Sequence, residues 1–257
     1  MSGTGFSLCG WFSLLNEMRI AIVSDIHGNR TAFEAVLADL RDTAPDLILH
    51  GGDLSDLGSS PVEVLDRIRD LGWPGVAGNT DEMLFRPESL QEFAQQSPNL
   101  QSLFETLEEM AVVSRQALGE ERLAWLRSLP RSHTQGPMAL VHASPQNLWR
   151  APSPEASDAD LDSLYSPLGQ PVAVYGHVHC PFIRKVSNTL VVANSGSVGL
   201  PYDGDRRASY LLLDGSNPTI RRVEYDVERE LKALSTCGLP HADWIARSIE
   251  HARPQMP

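Results

Sequence analysis

Seven side chains that can hold a cation each follow a short apolar run. Asp25 and His27 close RIAIVSDIH, Asp53 follows DLILHGG, and Asn79 follows PGVAG. His142 ends MALVH, and His177 and His179 end PVAVYGHVH. All offer oxygen or nitrogen and none offers thiolate. That mix suits Mn²⁺, Fe, Zn²⁺ or Ni²⁺ and does not suit a calcium cage. Seven ligands exceed the needs of one tetrahedral ion. They suit two ions sharing a carboxylate, with positions left for water and substrate. Residues two apart on a strand share a face, so His177 and His179 should point the same way. By the same alternation Cys180 points to the opposite face and reads as core.

The elements that must position these residues follow from periodicity. RIAIVS (19–24) and DLILH (46–50) read as buried strands, and PGVAG (74–78) as a third, short one. Between the first two lies a helix with Phe33, Val36, Leu37 and Leu40 at i, i+3, i+4 and i+7, capped by Asn29. Ser60-Pro61 opens a second helix to about Leu71, with Val64, Leu65, Ile68 and Leu71 inward. This β-α-β-α-β rhythm marks an α/β fold with a mostly parallel sheet. Ser97-Pro98 begins a helix with Leu100, Leu103, Phe104, Leu107 and Met110 on one side. Residues 119–129 form another, stopping at Pro130, and MALVH (138–142) is a strand. Residues 144–158 are a Pro/Ser-rich loop with a short helix after it. From 171 on, PVAVY, FIRKV, TLVVAN, ASYLLLD and TIRRVEY predict a second, mixed or antiparallel sheet. A helical tail covers 226–252, broken at Gly238–Pro240. In open α/β sheets, ligands bind beyond the carboxyl ends of strands, where all seven residues fall.

Composition narrows the setting. The 257 residues carry a net charge of −12, with 42% hydrophobic and 21% charged residues. An acidic surface argues against general binding to nucleic acid or anionic membrane. An anionic substrate would need local cations, which bound metals supply. Three cysteines without a CxxC suggest neither a disulfide framework nor a zinc ribbon, and a reduced, cytoplasmic setting is the simplest expectation. No apolar run has the length of a membrane span. Residues 1–17 lack a basic n-region and a small-x-small cleavage site, so a signal peptide is not expected. They read as an extension, disordered or a start-site artefact, ahead of a single domain over 18–257.

D-x-H (25–27), G-G-D (51–53), G-N-x-D (78–81), the strand-end His142 and G-H-x-H (176–179) resemble, in order, the calcineurin-like metallophosphoesterase family. The likeness covers about 18–215 and is greatest to its small bacterial and archaeal branch, through NSGSVGLPYDGDRRASYLLLD (194–214) as well. The resemblance implies a four-layer α/β/β/α sandwich with two mixed β-sheets. It also implies a dinuclear phosphoesterase acting on a small phosphodiester or phosphomonoester. Asp25, His27 and His179 would hold one ion, Asn79, His142 and His177 the other, and Asp53 would bridge. The ions would be divalent transition metals, Mn²⁺ foremost, with Fe, Zn²⁺ or Ni²⁺ as alternatives. A hydroxide shared by cations about 3.5–4 Å apart would attack phosphorus in line. On this reading Asp53, Asn79 and His142 carry the catalysis, and Asn29, Asn79 and Arg207 contact substrate.

One departure stands out. Many family members read G-N-H-[DE], with the His protonating the leaving group, whereas position 80 here is Thr. A hydroxyl is a poor acid near pH 7, which favours leaving groups that depart unprotonated, such as aryl oxides. Asp81 or a metal-bound water are the alternatives as acid. Each residue also has a plainer reading. Asp25 could cap a turn, and His50 could orient a ligand or sit in the core. His133, His241 and His251 read as surface residues. Trp149 reads as packing rather than as a platform for a substrate ring. The rival from another class is a catalytically weak member serving as a protein-binding scaffold or a nucleotide sensor. Loss of ligand residues would favour the scaffold, and none is lost.

Overall fold

The computed structural model describes residues 18–257, and the reading of 1–17 lies outside them. Two sheets are stacked. One has the order β2-β1-β8-β9, from Leu47–His50, Arg19–Val23, Ala208–Asp214 and Asn217–Val223. The other has the order β3-β4-β5-β7-β6, from Ser132–Gln135, Met138–Val141, Val172–Tyr175, Val191–Asn194 and Phe182–Lys185. Both are mixed: β1 runs parallel to β2 and antiparallel to β8, and β5 runs parallel to β4 and β7 while β6 is antiparallel to β7.

The period of two builds the layers. Ile20 and Ile22 of β1 face Met138, Leu140, Val172 and Val174 in a cluster between the sheets. Their neighbours Ala21 and Val23 face α1 (Arg30–Thr43) and α2 (Pro61–Leu71), through Phe33, Val36, Leu65 and Ile68. On the far side, Ala173 and Tyr175 of β5 pack on Leu161 and Tyr165 of the helix Asp158–Tyr165. Helix, sheet, sheet, helix is the expected four-layer sandwich. Burying both faces of a strand explains why these runs are apolar throughout.

Several local expectations change. The five strand-like runs after 171 do not form one sheet. β8 pairs with β1 in the register Ile20↔Leu213 and Ile22↔Leu211 and completes the first sheet with β9. PGVAG forms only an isolated bridge, His50↔Gly75, because the chain turns at once into α3 (Asn79–Phe85). α3 and α4 (Glu88–Ala94) are seven residues each, too short to show a period in the sequence. The helices expected from 97 and 119 are joined as α5 (Gln101–Ser128), kinked at Gly119 with φ 68° and ψ 167°. Leu71 and Leu100 are exposed instead of inward. The tail forms α7 (Val227–Leu234) and α8 (Ala242–His251), with α6 being Asp158–Tyr165. Leu234, Trp244, Ile245 and Ile249 of the tail pack on Leu57, Met110 and Leu200. No helix of the described residues is long and apolar enough to cross a membrane.

Candidate metal centre

The carboxyl ends of β1, β2, β4 and β5 open onto one place. After β1, β2 and β5 the chain leaves the strand through backbone that L residues seldom adopt. Asp25, His27, Asp53, His177 and His179 have φ of 55°, 49°, 54°, 65° and 55°. Asp and His are among the few non-glycine residues enriched in this left-handed region, and such strain gathers at functional sites. This corrects the reason for the His-x-His convergence. β5 ends at Tyr175, so strand alternation does not aim His177 and His179; two left-handed turns do. Cys180 accordingly is half-buried rather than core.

The strand ends approach closely because small residues let them. A Cβ at Gly78 would collide with the Asp53 carboxylate, and one at Gly176 with the Asp25 carboxylate. Asp25 in turn accepts the backbone N–H of His177 at 3.0 Å and the Ser24 hydroxyl at 2.5 Å, which ties the first sheet to the second.

Two groups of ligand atoms result, each within 4.8 Å: Asp25, His27, Asp53 and His179, and then Asp53, His142 and His177. Asn79 joins the second through Oδ1, 2.9 Å from His142 Nε2 and 2.8 Å from His177 Nδ1. Asp53 belongs to both. Its Oδ2 lies 3.7 Å from His27 Nε2 and its Oδ1 3.5 Å from His142 Nε2. The structure thus brings all seven expected residues together, in two groups that share Asp53.

The histidines are oriented for ligation. Nδ1 of His27, His142 and His179 donates to the carbonyls of Asp56 (3.1 Å), Gly51 (2.8 Å) and Leu200 (2.6 Å). A neutral ring that spends its proton on Nδ1 presents a lone pair at Nε2. His27 Nε2 and His179 Nε2 then face each other at 3.2 Å, lone pair to lone pair. Such a contact repels unless a cation lies between, so this donor set fits a metal ion. Burial pushes His27 and His177 down to about 4, with the His142 charge adding to it at His177, leaving both rings neutral at pH 7. Burial would raise the Asp53 carboxyl, but His142, His27 and His177 hold it well below the usual range. Burial opposes the charged form of His142 as well, yet Asp53 and Asp25 pull it up to about 10. The buried carboxylates thus demand positive charge. In metal-free protein His142 meets that demand, and metal cations would replace its proton.

Around the ligands lie residues that the sequence reading left without a role. The segment 195–202 buckles the first group. Gly199 N–H and the Ser197 hydroxyl donate to the Asp25 carbonyl at 3.0 and 2.7 Å. Tyr202 stacks on the His179 ring at 4.5 Å and 20°. The sequence signal was the NSGSVGLPY segment itself. Two expected substrate contacts are engaged elsewhere. Asn29 is buried, its Oδ1 capping α1 at Ala32 N–H (2.9 Å) and its Nδ2 donating to the Gly199 carbonyl (3.0 Å). Arg207 is exposed and clamps Asp205 at 2.6 Å. His133, expected on the surface, is part-buried with an unpartnered Nε2.

Fold and ligand set define a metallophosphoesterase. The chain belongs to the calcineurin-like phosphoesterase superfamily, whose domain pattern matches residues 18–217, and the expected enzyme class is that of this family. It is similar to an uncharacterized protein of Methanocaldococcus jannaschii, 29% identical over 90% of this chain and 96% of that one. The structure resembles the crystal structure of a metallophosphoesterase from Sphaerobacter thermophilus, with TM-score 0.73 and 28% identity over 91% of this chain and 99% of the other. A symmetrical bis(5'-nucleosyl)-tetraphosphatase of Methylococcus capsulatus is 28% identical over 151 residues, 57% of this chain and 50% of that protein.

Proposed function

We propose that this chain is a dinuclear metal-dependent phosphoesterase that hydrolyses a small phosphodiester or phosphoanhydride of a nucleotide. The observation that carries the reading is Asp53, whose two carboxylate oxygens face ligands of different groups. Asp25, His27, Asp53 and His179 would hold one cation, and Asp53, Asn79, His142 and His177 the other. Divalent cations supply an acidified water and neutralise phosphate charge. The protein supplies the rest. Asp53 fixes the spacing of the two groups. Asn79 turns Oδ1 inward, so its NH₂ is left to donate to a phosphate oxygen. Carbonyls of Asp56, Gly51 and Leu200 hold the imidazoles in one tautomer and plane. The likeness to symmetrical tetraphosphatases, which spans half of that relative's length, supports a nucleotide substrate.

The test is hydrolysis of bis-(p-nitrophenyl) phosphate, p-nitrophenyl phosphate and diadenosine tetraphosphate. Metal-stripped protein is refilled in turn with Mn²⁺, Ni²⁺, Zn²⁺ and Mg²⁺, with Asp53→Asn as control. The expected result is metal-dependent turnover that the variant loses. No turnover with two ions bound per chain would overturn the reading in favour of a scaffold or sensor.

A further inference from the structure

Two elements that deliver ligands to the second group continue into a separate cavity of about 140 Å³. α3 begins with Asn79 and one turn later carries Glu82. The chain after His142 runs through 144–148 to Trp149. Glu82 and Trp149 both line the cavity, with Arg86, Ser89, Phe93 and Arg131.

Its chemistry is selective. Glu82 is buried and accepts Trp149 Nε1 at 2.8 Å, Arg131 Nη2 at 2.8 Å and Arg86 Nη2 at 3.2 Å. Arg86 also holds both oxygens of Glu92 at 2.9 Å. Two carboxylates balance two guanidiniums, and every one of the four is engaged. Arg150 at the rim has no acidic partner among the described residues, but it lies 5.2 Å over the Phe93 ring and donates to Gln96, so the lining favours an uncharged ring over a phosphate. Ser89 lines the cavity and is 2% exposed, and its buried hydroxyl has no partner. A buried polar group left unpaired costs about 1–3 kcal/mol, so a polar ligand atom is the missing partner. Phe93 and Trp149, stacked at 5.2 Å and 29°, add a flat aromatic wall. Flat, uncharged and able to hydrogen-bond describes a nucleobase.

We propose that this cavity takes the base of a nucleotide phosphoester whose phosphate lies at the metal ligands. The proposal rests on the phosphoesterase reading for its geometry, and it gives Trp149 a role that sequence reasoning assigned to packing.

The experiment is calorimetric titration of the full chain, without added metal, with adenosine and separately with ribose 5-phosphate. Adenosine should bind, and Ser89→Leu and Trp149→Leu should each weaken it at least tenfold. Ser89→Ala, which adds no volume, should weaken it severalfold, and thermal melts check that each variant is folded. Ribose 5-phosphate affinity should not follow these changes. Wild-type protein that ignores adenosine, binds ribose 5-phosphate as tightly, or keeps its adenosine affinity in all three variants overturns the proposal. Adenosine binding, with no turnover of any of the three phosphoesters when two ions are bound, would sink the phosphoesterase reading and leave the cavity assigned. Hydrolysis without adenosine binding would sink the cavity alone.

Discussion

The Asp81 carboxylate accepts the backbone N–H of Asp53 at 2.8 Å, and with it the N–H groups of Gly78 (2.9 Å) and Leu54 (3.0 Å). One buried side chain thereby fixes the loop that carries the shared ligand and the start of the helix that carries Asn79. Burial and the Asp53 charge push the Asp81 carboxyl up to about 7, against three N–H donors that favour its ionised form. Three of its roughly four acceptor sites are spent on backbone N–H groups, which commits the side chain to holding this loop. Asp81→Asn replaces one acceptor oxygen with a donor that meets an N–H. Metal affinity should fall by roughly 10–100-fold and stability by about 1–3 kcal/mol. Competition with a chelator and a urea melt measure the two. Unchanged metal affinity would show that Asp53 is held by other means.

Metal loading should release a proton. In metal-free protein the Asp53 and Asp25 carboxylates keep His142 protonated to about pH 10, whereas a ligating imidazole must be neutral. Near pH 7, filling the centre should therefore free about one proton per chain from this ring. Affinity should fall as pH falls, because protons compete for the same Nε2. Titration with Mn²⁺ in two buffers of different ionisation enthalpy reads the number directly. Zero protons released would place His142 neutral beforehand and remove the argument that the metals replace its charge.

The ligands were legible because chemistry forces their types. Asp25, His27, Asp53, Asn79, His142, His177 and His179 could be collected by noting polar residues at the ends of apolar runs. What positions them was not legible. The left-handed backbone at Asp25 or His179 leaves no periodic signature, and the strand rule reached the right convergence for the wrong reason. Pairing of β8 with β1 joins residues some 190 positions apart, which no local pattern encodes. Asp81 stood in G-N-x-D, yet its work is to accept backbone N–H groups, and those partners exist only once β2 and α3 meet.

His50 should give the metal-free fold a dependence on pH. Burial drives the ring down to about 3, and neither ring nitrogen has a partner. Below pH 6.5 the unfolded chain takes up a proton that the folded ring refuses until about pH 3. The folded state thus loses stability as pH falls through that window. His27 and His177 act in the same direction, so the effect of one residue is read as a difference. His50→Leu should retain stability at pH 7, since it removes two unpaired polar atoms. It should also flatten the slope of stability between pH 6.5 and 4.5. Urea melts across that range in wild type and variant supply the comparison, and parallel slopes would contradict the assignment.

Thr80 sets an expectation for leaving groups. Its N–H donates to Asp53 Oδ1 at 2.9 Å, so the residue sits beside the shared carboxylate, and its buried hydroxyl has no partner. A hydroxyl does not protonate a departing alkoxide near pH 7, so the rate should drop steeply as the leaving group becomes more basic. Thr80→His places a group of suitable pKa at that position, and general acid catalysis supplies about 10²–10⁴-fold where it operates. Alkyl phosphodiesters should gain toward the lower end of that range, while p-nitrophenyl esters, which need no proton, should change little. The measurement is kcat/KM for a series of diesters against leaving-group pKa, repeated from pH 5 to 9. In the variant the slope should flatten and a new falling limb should appear at alkaline pH for the alkyl esters alone. Equal slopes in the two proteins, with metal content unchanged, would mean that protonation of the leaving group comes from elsewhere in the centre.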